Sequence, residues 1–88
     1  MTERQIWEEV EREIARQDEK WGATHDETHN VADWVSLIVE HLGRAAQSVF
    51  SGSRDRAARK KYRRQLIRVI ALCVKAIQHY QTRVFSND

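Results

Sequence analysis

Side chains able to do chemistry cluster in three places along the 88-residue chain. The first is His25-Asp26-Glu27-Thr28-His29, where two imidazoles stand four residues apart. On a helix that spacing puts both on one face, and His41 or Asp33 can add a third ligand to Zn²⁺ or Ni²⁺. In the competing reading His25 and His29 brace a loop by hydrogen bonds to backbone or to nearby carboxylates. The second is Glu40-His41-Leu42-Gly43-Arg44, whose acid and guanidinium are spaced for an ordinary i, i+4 ion pair. The third is the run from Arg54 to Arg68, with eight Lys/Arg in fifteen residues. Such density fits a nucleic-acid backbone, and equally a solvated face paired with an acidic helix; no helix-turn-helix or zinc-finger pattern accompanies it. Cys73 lies in an apolar stretch, a poor setting for a nucleophile. There is no Gly-rich phosphate loop and no Gly-x-Ser-x-Gly turn. Trp21, beside Gly22, is placed for stacking on a base, whereas Trp34 reads as a packed residue.

Helices must position these groups. Proline is absent and glycine occurs only at 22, 43 and 52. Ile6, Val10 and Ile14 recur every four residues with Trp7 beside them, which predicts an amphipathic helix over residues 2–20, stopped by Gly22. Residues 23–29 read as a polar loop. Asn30 is suited to cap a second helix, with Asp33 in its first turn. That helix carries Val31, Trp34, Val35, Ile38, Leu42, Ala45 and Val49, and Ser51-Gly52-Ser53 ends it. Ser53 can cap a third helix running to about Arg83, with Asp55 in its first turn and an apolar face of Tyr62, Leu66, Val69, Ile70, Cys73, Val74 and Ile77. The nearly unbroken apolar run 67–74 could pass for a buried strand, but the periodic pattern continues on both sides, so helix is expected.

The fold class is therefore all-α: one domain, residues 1–88, of three amphipathic helices in an elongated hairpin. A third helix of about 28 residues is about 42 Å long. A compact chain of this size has a radius of gyration of only about 12 Å. Apolar faces of that length exceed what one copy can cover, which predicts a homo-oligomer, most simply a dimer completing a four-helix-type bundle. A monomer with a kinked third helix is the alternative.

The segment Glu13-x-x-x-Gln17-x-x-Lys20-Trp21-Gly22, then a His-bearing loop, then Trp34 and Glu40-His41-Leu42-Gly43, resembles the small MazG-like nucleotide pyrophosphohydrolases common in phages and prophages. Tyr62-Arg63-Arg64-Gln65-Leu66-Ile67-Arg68-Val69, leading into an Ala/Val-rich helix, extends the resemblance over most of the chain. The family's signature is Glu-Glu-x-x-Glu on one helix and Glu-x-x-Asp on the next, carboxylates that converge on Mg²⁺. This chain reads Glu40-His41-Leu42-Gly43-Arg44 and Gln65-Leu66-Ile67-Arg68, so Glu40 alone remains as a candidate catalytic acid. Two guanidiniums in place of two carboxylates change the charge by about four units and repel a metal. What the resemblance implies instead is an anion or nucleotide site lined by Arg44, Gln65 and Arg68, with Trp21 for stacking. Arginine holds phosphate by paired hydrogen bonds without a metal.

Three functions compete on these grounds. A catalytically degenerate MazG-like protein would bind a nucleotide, a phosphate anion or a host protein without hydrolysis. A divergent pyrophosphohydrolase would rebuild a Mg²⁺ or Zn²⁺ centre from Glu40, His41, Asp26, His25 and His29. A small phage interaction protein, of the kind that inhibits host defences, would act through charged helix faces, including on a nucleic-acid-binding target. Charge distribution bears on all three. Residues 1–44 hold eleven acids and five Lys/Arg, a balance of −6; residues 45–88 hold two acids and ten Lys/Arg, a balance of +8. Opposite fields of this size favour antiparallel packing of the halves and steer an anion to the basic one. At 41% hydrophobic and 32% charged the composition is that of a soluble globular domain. No apolar run nears the roughly 18–20 residues of a bilayer span, which argues against a membrane partner. The charged N-terminal stretch carries no apolar signal core, and the one cysteine cannot form an internal disulfide. The reading is a reduced, cytoplasmic protein, in a bacterial host if phage-encoded.

Overall fold

A computed structural model describes residues 1–27, 29–50 and 55–79, the side chains of 23–27 excepted. It contains three helices: α1 (Glu3–Glu27), α2 (Val31–Phe50) and α3 (Arg56–His79). No strand occurs among the described residues. The chain is all-α.

Each helix starts on a side-chain cap. Thr2 Oγ1 accepts from the Gln5 N–H (3.2 Å) while Gln5 Oε1 accepts from the Thr2 N–H (2.8 Å), a reciprocal capping box. Asn30 and Asp33 make the same exchange at the start of α2, at 2.8 and 3.0 Å. At α3 the cap is Asp55, whose Oδ1 accepts from the Ala58 N–H at 2.8 Å and whose carbonyl accepts from Arg59. Asp55 is thus the cap itself and not part of the first turn; Ser53 lies outside the described residues, as does the expected helix end at Arg83.

Gly22 sits at φ 80°, ψ 160°, a region open essentially to glycine, and breaks the path of α1. The chain then resumes helix as far as Glu27, so residues 23–27 are not the loop their polarity suggests. Neither proline nor a further glycine interrupts them, and polarity does not separate a solvated helical turn from a loop.

Helix α3 is the central element. Helices α1 and α2 each pack along it and barely touch one another. The pairs Glu9–Arg63 and Asp18–Lys75 ascend together, so α1 runs parallel to α3. His41–Gln65 and Trp34–His79 run in opposite directions, so α2 and α3 form the antiparallel hairpin. The acidic first helix therefore meets the basic third one side by side in the parallel sense, because the intervening α2 reverses the chain twice. Val10, Ile67 and Ala71, flanked by Ile6, Ile14 and Ile70, form the apolar core between α1 and α3. Burial of Val10 and Ile67 stabilises the fold by about 1.5–3 kcal/mol each. Trp34 and the small Ala45 and Ser48 close α2 against α3.

Two expected core faces are rotated. On α3 the buried residues are Gln65, Ile67, Ala71, Leu72 and Lys75, while Tyr62 and Ile77 are exposed and Leu66, Val69, Ile70, Cys73 and Val74 are half-buried. A helix gripped from two sides buries two seams, and the polar residues in them have found partners. On α2, Trp34 and Ala45 are buried as expected, but Val31, Val35, Leu42 and Val49 face outward. The radius of gyration is 14.5 Å, above the roughly 12 Å of a compact chain of this length. No described helix is long and apolar enough to cross a membrane.

Candidate functional site

Because α1 and α2 both pack on α3 but barely on each other, a cleft of about 430 Å³ opens between the three helices. Its floor is Arg68, Leu72 and Lys75 of α3. One wall is Arg16, Gln17, Lys20 and Trp21 of α1; the other is Trp34, Leu37, Glu40, His41 and Arg44 of α2, with His29 at the mouth. Of the residues expected to bind an anion, Arg44, Arg68 and Trp21 line it together. Gln65 lies buried at its back, its Oε1 2.7 Å from His41 Nδ1, as for a ring N–H donating to an amide oxygen.

Of the five positions where the resemblance would place converging carboxylates, four meet between α2 and α3. Two of those hold the hydrogen-bonded His41–Gln65 pair. The other two hold Arg44 and Arg68. Glu40, the remaining acid, accepts a hydrogen bond from Arg44 at 2.6 Å, the i, i+4 ion pair expected from its spacing. These residues do not fit a magnesium site. Among the described residues no group of three or more His, Cys, Asp or Glu side chains comes together to hold a metal. His41 is engaged by Gln65. His29 turns its edge onto Trp34, with ring centroids 4.9 Å apart, and its Nδ1 lies 3.9 Å from Asp33. The His25 and Asp26 side chains lie outside the described residues.

Five cations from three helices meet in the cleft. Arg16 makes a paired contact with Glu13 at 2.7 and 3.0 Å, and Lys75 Nζ, only 4% exposed as a residue, lies 3.0 Å from Asp18. Lys20 Nζ stands 4.9 Å over the Trp21 ring. Burial works against ionisation of Glu13, yet hydrogen bonds from Arg16 and Gln17 and the charges of Arg16 and Arg68 outweigh it and hold the carboxyl below its usual range. The same contact raises Arg16 above the ordinary guanidinium value. Arg68 is shifted the other way: burial lowers it, Glu13 partly restores it, and Arg16, Arg64 and Arg44 lower it further.

Among the described residues three buried side-chain polar atoms have no hydrogen-bond partner, and all three belong to residues lining this cleft: Arg68 Nε, Gln17 Oε1 and Trp34 Nε1. Gln17 is 7% and Trp34 3% exposed. Orphans of this kind each cost about 1–3 kcal/mol. All three are shut off from solvent behind the cleft surface, two donors and one acceptor beside a cluster of guanidiniums.

Sequence reasoning missed Gln17, Arg16, Lys20 and Lys75 as cleft residues. Lys75 had a readable signal, being the one charge inside Cys73-Val74-Lys75-Ala76-Ile77. No family model matches the chain, and no curated protein or solved structure matches it either.

Proposed function

We propose that the chain binds a nucleotide or a similar phosphate-bearing anion in the three-helix cleft and does not hydrolyse it, as a degenerate relative of the MazG-like pyrophosphohydrolases. The observation that carries this reading is the Arg68 guanidinium, half-buried among like charges with its Nε unpaired. A phosphate there relieves repulsion between Arg68, Arg44 and Arg16. Trp21, half-exposed, lies within the same cleft for stacking. Hydrolysis lacks its means: Glu40 is held by Arg44, and the guanidiniums oppose a divalent ion.

A thermal-shift series with nucleoside mono-, di- and triphosphates in the presence of a chelator tests this. At ten times Kd a ligand adds about 1.4 kcal/mol, a rise on the order of 6–10 °C for a domain of this size. Failure of every nucleotide to raise Tm, or turnover abolished by Glu40→Ala, overturns the reading.

A second copy of the chain is the partner that fits the outer face of α2. Val31, Val35, Leu42 and Val49, spaced by four and seven residues, form a continuous apolar stripe like a coiled-coil seam, with Val35 53% and Leu42 50% exposed. In a homodimer these stripes cover each other and leave the cleft, which none of the four residues lines, open to ligand.

A further inference from the structure

A second concavity, of about 370 Å³, opens between α1 and α3. Ile67 forms its floor, Arg12 and Arg16 its α1 side, and Lys60, Arg63 and Arg64 its α3 side. Two carboxylates share it, and both are taken: Glu9 by Arg63 at 2.5 Å and Glu13 by Arg16 at 2.7 Å. Arg12, Lys60 and Arg64 have no ion-pair partner among the described residues, which leaves the groove at +3. Arg16 lines both this groove and the three-helix cleft. Lys60, Arg64 and Arg68 follow each other at four-residue steps, with Arg12 facing them from α1, so one side of α3 carries a cationic stripe about 12 Å long with repeats of about 6 Å.

That stripe is longer than the phosphates of one nucleotide reach. Its repeat suits consecutive phosphates of an extended strand, and its cleft end carries the half-exposed Trp21. Single strands combine just these needs, a cationic track for the backbone and an aromatic platform for an unstacked base, whereas a duplex keeps its bases stacked away. We propose that the chain binds single-stranded nucleic acid, its backbone lying in the α1–α3 groove and running on past Arg16 into the cleft. This goes beyond the nucleotide reading and stands without it.

Fluorescence anisotropy of a labelled oligothymidylate decamer against the full chain is the test. With about four phosphates neutralised, log K against log salt has a slope of about −3. The triple variant Arg12→Gln, Lys60→Gln, Arg64→Gln removes only exposed side chains outside the cleft. It is expected to lose on the order of 100-fold in affinity at 0.1 M salt, to keep the parent's helical circular dichroism, and to keep any thermal response to mononucleotides. Equal affinity of the triple variant, a flat salt dependence, or binding of duplex DNA or polyglutamate as tight as the decamer overturns the proposal. If mononucleotides give no shift while the decamer binds with its salt slope, the cleft reading fails and this one holds.

Discussion

Arg68 is held at a cost to the fold. Its guanidinium is half-buried, its Nε has no acceptor, and three other arginines bear on it. Replacing a buried charge by an apolar side chain of similar length is often stabilising. Arg68→Met is therefore expected to raise the stability of the free chain by about 1 kcal/mol and to abolish the nucleotide-induced rise in Tm. Urea titration and thermal shift on the same sample check both halves. Glu13 behaves oppositely. Its carboxyl is more acidic in the folded chain than in the unfolded one, so its stabilisation is complete above the ordinary carboxylate range and fades as pH falls through the folded value. Glu13→Gln should cost about 1 kcal/mol at neutral pH, allowing for the partial exposure of Arg16. Urea midpoints of the two proteins should converge as pH falls below the ordinary carboxylate range. Arg44 and Arg68 were singled out in the sequence as anion-binding residues, and both line the cleft. Gln17 was not readable as an interior group, since hydropathy assigns a lone amide to solvent, whereas Lys75 stood out as the one charge in an apolar run. Gln17 is held by Glu13, its i, i+4 neighbour on α1, and Lys75 by Asp18 across the α1–α3 seam.

Helix boundaries followed local chemistry closely where a cap could be recognised. Thr2–Gln5 and Asn30–Asp33 are sequence-local exchanges and need nothing else in the molecule. Which face of α3 turns inward was not local. Apolar residues surround much of that helix, so periodicity leaves several rotations nearly equal, and the choice rests on having a helix on each side. Gly22 lies between these cases: its type foretold a break, but not that helix would resume beyond it. Nothing stands within 4 Å of where a Cβ on Gly22 would lie, so a substitution there is costly through the backbone and not through a clash. Gly22→Ala is expected to destabilise the fold by about 1–3 kcal/mol, read as a lowered urea midpoint. It should also weaken ligand binding, because Trp21 and Lys20 are aimed into the cleft from the last turn before the break.

On the scale of the whole molecule the elongation foreseen from helix length is present, and so is an apolar stripe that one copy leaves uncovered. Light scattering of the parent chain should give a dimer, and Val35→Lys with Leu42→Lys should give a monomer with unchanged nucleotide response. A monomeric parent would remove the second copy from the account. The order of the helices has one more consequence. Helices α2 and α3 are neighbours in sequence and can zip together early, whereas α1 must find its seat on a segment more than fifty residues away. Helix α1 is then the piece most easily lifted off, and it carries an entire wall of the cleft. A molecule lodged there acts as a staple between the chain's two ends: amide hydrogens of α1 should exchange markedly more slowly once it is in place, while those of the α2–α3 hairpin change little.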